Sequence, residues 1–301
     1  MEIIAYGGWN RCARLVSGDV ELIVTLEIGP RVIRCGLAGG PNEFVEHPED
    51  MSHKGGGPYR SYGGHRLWVA PEVDAITLQP DNDPVEHTTE GASNVFTTRT
   101  DRWHVQKEIR ITSLGDGAFE LEHRLYNRGG HPLELTTWAL TQLAPEGEAY
   151  FPMPAFKSHT EEVLPDRPLA LWGYTDLSDP RWTWSQSLGR LRQDPARGPQ
   201  KIGMFCPQGW AAYANHGNLW VKVFDAVQGG DYADFGCNFE TFTNQKMLEL
   251  ESLGEVTIVD ADDHTGHIER WELRRGVKVE SNVDAALKQL TSIADKLKAK
   301  T

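Results

Sequence analysis

Residues 247–253 read Met-Leu-Glu-Leu-Glu-Ser-Leu, a short run in which apolar and acidic residues alternate. Leu248 and Leu250 alternate with Glu249 and Glu251, and the side chains of a β-strand point to opposite faces in turn. The run therefore predicts a strand with leucines toward a core and both glutamates on its other face. Residues 237–244 repeat the pattern just before it, with Glu240 on the polar face.

The same alternation between turn signals recurs along the chain and predicts an all-β protein. The other predicted strands are 20–25, 31–37, 94–100, 103–112, 119–127, 133–143, 211–213, 219–224 and 268–273. A hairpin turn is expected at Asp116-Gly117. Residues 151–203 are rich in Pro, Trp and Asp and predict long ordered loops of the kind that carry function.

The end of the chain is the one stretch with plainly helical spacing. Apolar residues recur every three or four positions over about residues 281–299, and Ser281 or Asn282 can cap the start of this helix. No repeat of fixed period and no linker-like stretch divides the chain. We therefore predict one all-β domain over residues 1–301, an antiparallel sandwich closed by a C-terminal helix.

Composition excludes several classes of function. The formal net charge is −13 and no stretch is rich in Lys or Arg, which argues against a nucleic-acid partner. No segment reaches the ~18 apolar residues of a membrane span, and the N-terminus lacks the features of a signal peptide. The four cysteines form no CxxC pair, which favours reduced thiols in a cytoplasmic protein, although an even count also fits a disulfide.

Residues 61–72, Ser-Tyr-Gly-Gly-His-Arg-Leu-Trp-Val-Ala-Pro-Glu, form the first candidate binding stretch. His65 and Arg66 supply hydrogen-bond donors, Trp68 supplies a flat apolar ring, and two glycines let backbone approach a ligand closely. Sugars need this mixture of donors for hydroxyls and a ring for their C–H faces. The alternative is a tight turn in which Arg66 pairs with Glu72.

The glutamates of the two polar strand faces form the second candidate. Glu249 and Glu251 are two residues apart on one face, where their charges repel unless one carboxyl holds a proton or something is bound. A raised pKa is what a general base working near neutrality requires. The alternative for either glutamate alone is a solvated outer face.

Metal and cofactor motifs are weak or missing. Residues 262–273 contain acids and histidines that could bind a divalent cation, but their spacing fits neither an EF-hand nor HExxH, so we favour a turn into a last strand. The sequence has no P-loop, no GxSxG elbow and no strand–helix GxGxxG. We predict neither a metal nor a cofactor.

With these stretches in order, the chain resembles the galactose mutarotase-like, or aldose 1-epimerase-like, superfamily. The resemblance rests on Gly63-Gly64-His65-Arg66, on the turn Asn127-Arg128-Gly129 before residues 133–143, on residues 248–252, and on a last strand at 268–273. It implies a large antiparallel β-supersandwich whose concave face binds a sugar. In catalytic members a glutamate deprotonates the anomeric hydroxyl while a histidine protonates the ring oxygen.

The resemblance also assigns roles to residues. It implies Glu251 as the base, with Glu249 and Glu240 as alternatives. It implies that Arg66 binds substrate, and His87 falls about where a second binding histidine is expected. The strand that carries the family's acid histidine has Thr137 and Trp138 there instead. Hence either His65, His159 or another histidine supplies the proton, or the protein binds sugar without turnover.

Three hypotheses follow. The first is an aldose 1-epimerase-like enzyme with Glu251 as base and His65 as acid, acting on a small sugar. The second is a non-catalytic carbohydrate-binding protein in which Arg66, Trp68, Trp138 and Glu240 hold the ligand. Glu249 and His87 are further predicted substrate-binding residues. The third is an interaction module whose exposed tryptophans contact another protein.

Overall fold

The computed structural model describes residues 1–300, which form two stacked sheets whose strand pairings are all antiparallel. The first sheet has eleven strands, here numbered in chain order and given in spatial order: β1 (Glu2–Tyr6), β2 (Trp9–Ser17), β3 (Val20–Thr25), β4 (Arg31–Leu37), β5 (Gly64–Ala70), β10 (Leu133–Leu143), β19 (Leu248–Leu253), β18 (Phe239–Thr243), β15 (Gln200–Met204) and β12 (Ala170–Leu171), with β20 (Thr257–Val259) paired to β10.

The second sheet has ten strands, in the order β13 (Trp182–Trp184), β14 (Leu188–Arg192), β11 (Glu148–Pro152), β16 (Trp210–Asn215), β17 (Asn218–Phe224), β21 (His264–Arg275), β9 (Ala118–Asn127), β8 (Val105–Gly115), β7 (Ser93–Thr97) and β6 (Glu86–Glu90). The helical segments are α1 (Asp74–Thr77), α2 (Ala233–Gly236) and α3 (Val283–Lys298). The predicted all-β sandwich with a C-terminal helix is confirmed. The single-domain boundary stays a prediction.

Each sheet buries one face against the other. Leu22, Leu67 and Leu250 of the first sheet share a buried core with Ile109 and Leu121 of the second. We use "inner face" for the side of a sheet that lines this interface and "outer face" for the opposite side. Because burial of apolar area is the main favourable term in folding, this interface holds the sandwich together.

Helix α3 covers part of the outer face of the second sheet. Its residues Leu290 and Leu297 pack with Leu219 and Val221 of β17. Asn282 caps the helix, and its side-chain oxygen accepts a hydrogen bond from the Ala285 N–H at 3.0 Å. None of the helices within residues 1–300 has the length and apolarity needed to cross a membrane.

Two parts of the strand assignment differ from expectation. Residues 64–70 form strand β5, which the sequence hides because nearly all of its side chains are buried and no alternation of polarity appears. Residues 151–203 are not loops throughout, since β12, β13, β14 and the start of β15 lie there. The expected hairpin at Asp116-Gly117 does join β8 to β9.

The glycines before β5 serve the packing of the chain on itself. A Cβ on Gly63 would lie 2.0 Å from the Val45 carbonyl oxygen, and one on Gly64 would lie 2.3 Å from the Val32 carbonyl oxygen. The expectation that these glycines admit a ligand is therefore corrected: the backbone they admit belongs to neighbouring segments of the chain.

We expect Gly64→Ala to destabilise the protein by about 3 kcal/mol or more. Gly39→Ala is its matched control, because both glycines have φ of +72° but nothing lies within 4 Å of a Cβ on Gly39. Left-handed backbone alone costs about 1 to 2 kcal/mol, and overpacking adds about 1 to 3 kcal/mol. Urea unfolding measures both variants. Equal losses would show that the close approach of Val32 is unimportant.

Candidate functional site

Four neighbouring strands of the first sheet carry a row of site residues on the outer face. Arg66 on β5 lies opposite Leu140 on β10, Leu140 lies opposite Glu251 on β19, and Glu251 lies opposite Glu240 on β18. Residues directly opposite each other share a face of the sheet. Regions 65 and 250 of the chain therefore meet on one surface.

The rows on either side extend this surface. Trp68 lies opposite Trp138, and their rings are 5.2 Å apart at 78°. Gln142 lies opposite Glu249 and donates a hydrogen bond to it at 2.7 Å. We call the following set the outer-face cluster: Arg66, Trp68, Trp138, Lys201, Glu240, Glu249 and Glu251.

Lys201 is the member of this cluster that was not expected from the sequence. Its ammonium lies 2.7 Å from Glu240 Oε2 and 3.1 Å from Glu251 Oε2, and both glutamates are 0% exposed. The rings of Trp138 and Trp172 lie 4.8 and 4.6 Å from the same nitrogen. One buried cation thus joins two carboxylates between two tryptophan rings.

Burial and charge shift the pKa values of these groups in different directions. Burial raises the pKa of Glu249 to about 8, and the Glu251 carboxylate adds to the rise. Burial also raises the pKa of Glu240, against the opposing effect of Lys201. Burial alone would lower the pKa of Lys201, but Glu251 and Glu240 together raise it above its ordinary value. The cluster therefore combines a charged ammonium with one carboxyl, Glu249, that holds a proton at neutral pH.

Glu251 has one oxygen engaged and one unpartnered. The Trp138 indole N–H donates to Glu251 Oε2 at 2.8 Å, and Lys201 donates to the same oxygen. The second oxygen, Oε1, is buried and has no partner among residues 1–300. An unsatisfied buried acceptor is costly, so this oxygen is able to accept a hydrogen bond from a further donor.

Arg66 lies at the other end of the row and is 1% exposed. It donates to the Tyr59 hydroxyl at 2.7 Å and lies 3.4 Å from the Asp81 carboxylate. Its guanidinium also stacks at 4.9 Å over the ring of Trp68. The expected alternative partner, Glu72, is not its partner.

Two irregular segments border the cluster. Trp172 and Tyr174 follow β12, and the Tyr174 ring lies 6.5 Å from that of Phe242 on β18. On another side, Asp234 and Phe235 in α2 have left-handed backbone, with φ of 52° and 65°, and Phe235 is 96% exposed. Strained backbone next to a buried charged cluster is typical of binding sites.

The structure separates His65 from the outer-face cluster, contrary to the predicted role as acid. His65 follows Gly64 and precedes Arg66, so strand alternation turns its side chain to the inner face. Its Nδ1 lies 2.9 Å from Thr141 Oγ1 and its Nε2 lies 2.8 Å from His123 Nε2. Burial lowers the pKa of His65 well below its ordinary value. It cannot give a proton to a ligand on the outer face.

His87 is also apart from the cluster. It lies on β6, the edge strand of the second sheet, and its Nε2 contacts Asn94 Oδ1 at 3.2 Å. The fold therefore brings together Arg66, Trp68 and Trp138 with all three predicted glutamates, and leaves His65 and His87 elsewhere.

The buried histidines offer the one group with metal-ligand spacing within residues 1–300. Ligand atoms of His65, His123 and Glu269 lie within 4.8 Å of one another on the inner faces. However, Glu269 already accepts hydrogen bonds from Ser252 and the Trp271 indole, and the Lys222 ammonium lies 2.7 Å from it. A carboxylate saturated by three donors, one of them a cation, fits a hydrogen-bond network better than a divalent ion.

His267, also on the inner face, makes the stability of the folded protein depend on pH. Burial lowers its pKa from 6.5 to about 3. Below pH 6.5 His267 is therefore protonated in the unfolded chain but still neutral in the folded chain. Its contribution to stability is present above pH 6.5 and is lost as pH falls toward 3.

We expect wild type to lose roughly 1 to 2 kcal/mol relative to His267→Gln between pH 7 and pH 5. The raised pKa of Glu249 acts in the opposite direction but equally in both proteins, so it cancels in the difference. Urea unfolding at several pH values gives both curves. Parallel curves would refute a neutral buried His267.

The similarity to known proteins is structural. No family model matches the chain, and no curated protein matches it in sequence. A galactose mutarotase-like protein from Lactobacillus casei ATCC 334 is 9% identical with a TM-score of 0.57, covering 87% of this chain and 100% of that one.

Two further solved structures agree. A galactose mutarotase related enzyme from Lactobacillus acidophilus is 7% identical with a TM-score of 0.58, covering 89% of this chain and 98% of that one. An Escherichia coli K12 protein provisionally identified as an aldose 1-epimerase is 12% identical with a TM-score of 0.54, covering 88% and 99%. The chain therefore has the galactose mutarotase-like fold.

Proposed function

We propose that this protein binds a sugar on the outer face of the first sheet and interconverts its anomers, with Glu251 as general base. The observation that carries the proposal is the unpartnered Oε1 of Glu251, held in one row with Arg66 and beside the Trp138 ring. A sugar ring can stack on an indole while its hydroxyls bond to charged groups. Structural similarity to mutarotase-like proteins supports the same class of ligand.

A carboxylic acid takes the place of the missing histidine in this mechanism. Glu251 removes the proton from the anomeric hydroxyl, and the ring oxygen receives a proton as the bond from C1 to that oxygen breaks. The pKa of Glu249, raised to about 8, keeps this group protonated at neutral pH and able to donate. Rotation about the C1–C2 bond, followed by the reverse proton transfers, closes the ring again and gives the other anomer. Glu240, whose pKa is also raised, is the alternative donor.

A second function, sugar binding without turnover, is favoured by Lys201. The ammonium contacts both Glu240 and Glu251, and an ion-paired Glu251 carboxylate is suited to accept a hydrogen bond from a sugar hydroxyl without removing its proton. By contrast, an interaction module built on exposed tryptophans has little support. Trp103 is 40% exposed, but five other tryptophans are at most 2% exposed: Trp9, Trp138, Trp210, Trp220 and Trp271.

We also propose that the protein is cytoplasmic. All four cysteines are free and buried, as suits a protein of the reducing cytoplasm. To test this, intact and permeabilised cells would be treated with a thiol reagent, with the protein unfolded so that its buried cysteines can react. Labelled cysteines are reduced thiols, and cysteines that stay unlabelled are oxidised.

Anomer exchange measured by NMR on purified protein tests the proposed function. A panel of pentoses, hexoses and their phosphates would be added, and exchange between α and β anomers followed with tryptophan fluorescence recorded in parallel. We expect exchange faster than in buffer for at least one sugar. A fluorescence change without faster exchange supports the binding function instead. Neither signal for any sugar would refute both.

A further inference from the structure

A second polar cluster lies directly beneath the outer-face cluster, on the inner faces of the two sheets. We call it the interior network; its members are His65, His123, Thr137, Thr141, Lys222, Ser252, His267, Glu269 and Trp271. These residues are at most 6% exposed, so water does not reach them freely. The proposed chemistry on the outer face uses none of them.

Sequence neighbours link the two clusters. His65 precedes Arg66, Thr137 precedes Trp138, and Ser252 follows Glu251. Because strand side chains alternate between faces, each of these site residues has a network residue as its immediate backbone neighbour. A backbone movement at any of these network residues therefore also moves the neighbouring site side chain.

One imidazole ties together the two strands that carry Trp138 and Glu251. His267 Nδ1 lies 2.6 Å from Thr137 Oγ1 on β10, and His267 Nε2 lies 2.8 Å from Ser252 Oγ on β19. Ser252 donates its own proton to Glu269, so it accepts from His267 Nε2–H, and His267 Nδ1 accepts from Thr137.

A buried ion pair fixes the same strand from the second sheet. Lys222 and Glu269 are both 0% exposed, 2.7 Å apart. Lys222 also donates to the Leu250 carbonyl oxygen at 2.9 Å, and Leu250 lies between Glu249 and Glu251 in the chain. Every buried side-chain polar atom of Lys222, Ser252, His267 and Glu269 has a partner, and satisfied buried groups of this kind specify one arrangement of the groups around them.

We propose that the interior network is a positioning device for the outer-face cluster, with His267 setting the separation of the Trp138 indole and the Glu251 carboxylate. That separation is 2.8 Å, and it decides which oxygen of Glu251 is free for a ligand. Strand pairing fixes the register of β10 and β19, and the contacts of His267 and Lys222 hold these strands against the second sheet. The consequence for sugar rests on the proposed function, but the effect on the indole does not.

Removing single hydroxyls tests this proposal with little change of shape. Thr137→Val and Ser252→Ala each delete one contact of His267. Thr25→Val is the matched control, because Thr25 on β3 is equally buried and its hydroxyl contacts the carbonyl oxygens of Ile28 and Arg31 rather than any member of the interior network. The readouts are the indole N–H resonance of Trp138 in the free protein, urea unfolding, and the binding and anomer exchange of whichever sugar the panel identifies.

We expect both site variants to move the Trp138 indole resonance and to lower sugar affinity or exchange about 5- to 30-fold, which corresponds to about 1 to 2 kcal/mol. Thr25→Val should lose comparable stability and leave both readouts as in wild type. Unchanged indole resonances in folded Thr137→Val and Ser252→Ala would overturn the proposal. If wild type binds no sugar, the proposed function fails while the indole resonance still decides this inference.

Discussion

Replacing Lys201 with methionine is expected to destabilise the protein by about 3 to 5 kcal/mol at pH 8. The substitution removes the cation from Glu240 and Glu251, which are both 0% exposed, and leaves two buried carboxyl groups facing each other without it. Breaking a buried ion pair by deleting one partner costs this much because the remaining charge has lost its compensation. Urea unfolding measures the loss directly.

Lys246→Met is the matched control for this substitution. Its ammonium pairs with Glu49, but the two side chains are 60% and 54% exposed, so solvent screens the interaction. We expect a change below about 1 kcal/mol. The loss in Lys201→Met should shrink as pH falls, because the raised pKa of Glu240 lets that carboxyl take up a proton. A loss no larger than that of Lys246→Met would show that the contacts of Lys201 with Glu240 and Glu251 do not stabilise the protein.

Glu251→Gln is expected to lower the rate of anomer exchange by about 10² to 10⁴ while the protein stays folded. Glutamine keeps the size of the side chain and its oxygen can still accept from the Trp138 indole, but an amide cannot take a proton from the anomeric hydroxyl. Exchange spectroscopy on the identified sugar gives the rate, and tryptophan fluorescence gives the affinity.

Glu272→Gln controls for the loss of a partly buried carboxylate elsewhere. Glu272 is 5% exposed on β21 and pairs with Arg274, outside the first sheet. We expect exchange at the wild-type rate in this variant. Equal rates in wild type and Glu251→Gln would exclude Glu251 as the base, and binding that survives without exchange in any variant would favour the non-catalytic function.

The faces of individual strands could be predicted from sequence because they depend on local alternation. This reasoning correctly grouped Glu249 with Glu251 and turned Leu250 to the core. The same alternation contained the signal that excludes His65, since a residue adjacent to Arg66 in a strand faces the other way. It was missed because residues 64–70 were not identified as a strand.

Lys201 was missed for a different reason. It lies in β15, where Gln200, Ile202 and Met204 alternate with Lys201 and Gly203, but the stretch follows a long Pro-rich segment and was predicted to be loop. Its partners lie about 40 and 50 positions away in the chain. Such contacts depend on the order of strands in the sheet, which local patterns do not encode.

The interior network shows the same limit at longer range. The scattered histidines each looked structural or exposed when taken alone, and only the stacking of the two sheets brings His65, His123 and His267 together. Their burial as neutral groups is a property of the assembled sandwich. The pH dependence of stability therefore could not be predicted from sequence.

A crystal structure of the protein soaked with the sugar identified in the exchange panel would show whether the outer-face cluster is the sugar-binding site. We predict a sugar ring against Trp138, with a hydroxyl within hydrogen-bond distance of Glu251 Oε1 and another group near Arg66. A sugar bound at any other surface, with Lys201 still in contact with Glu240 and Glu251 and the outer-face cluster unchanged, would contradict this prediction.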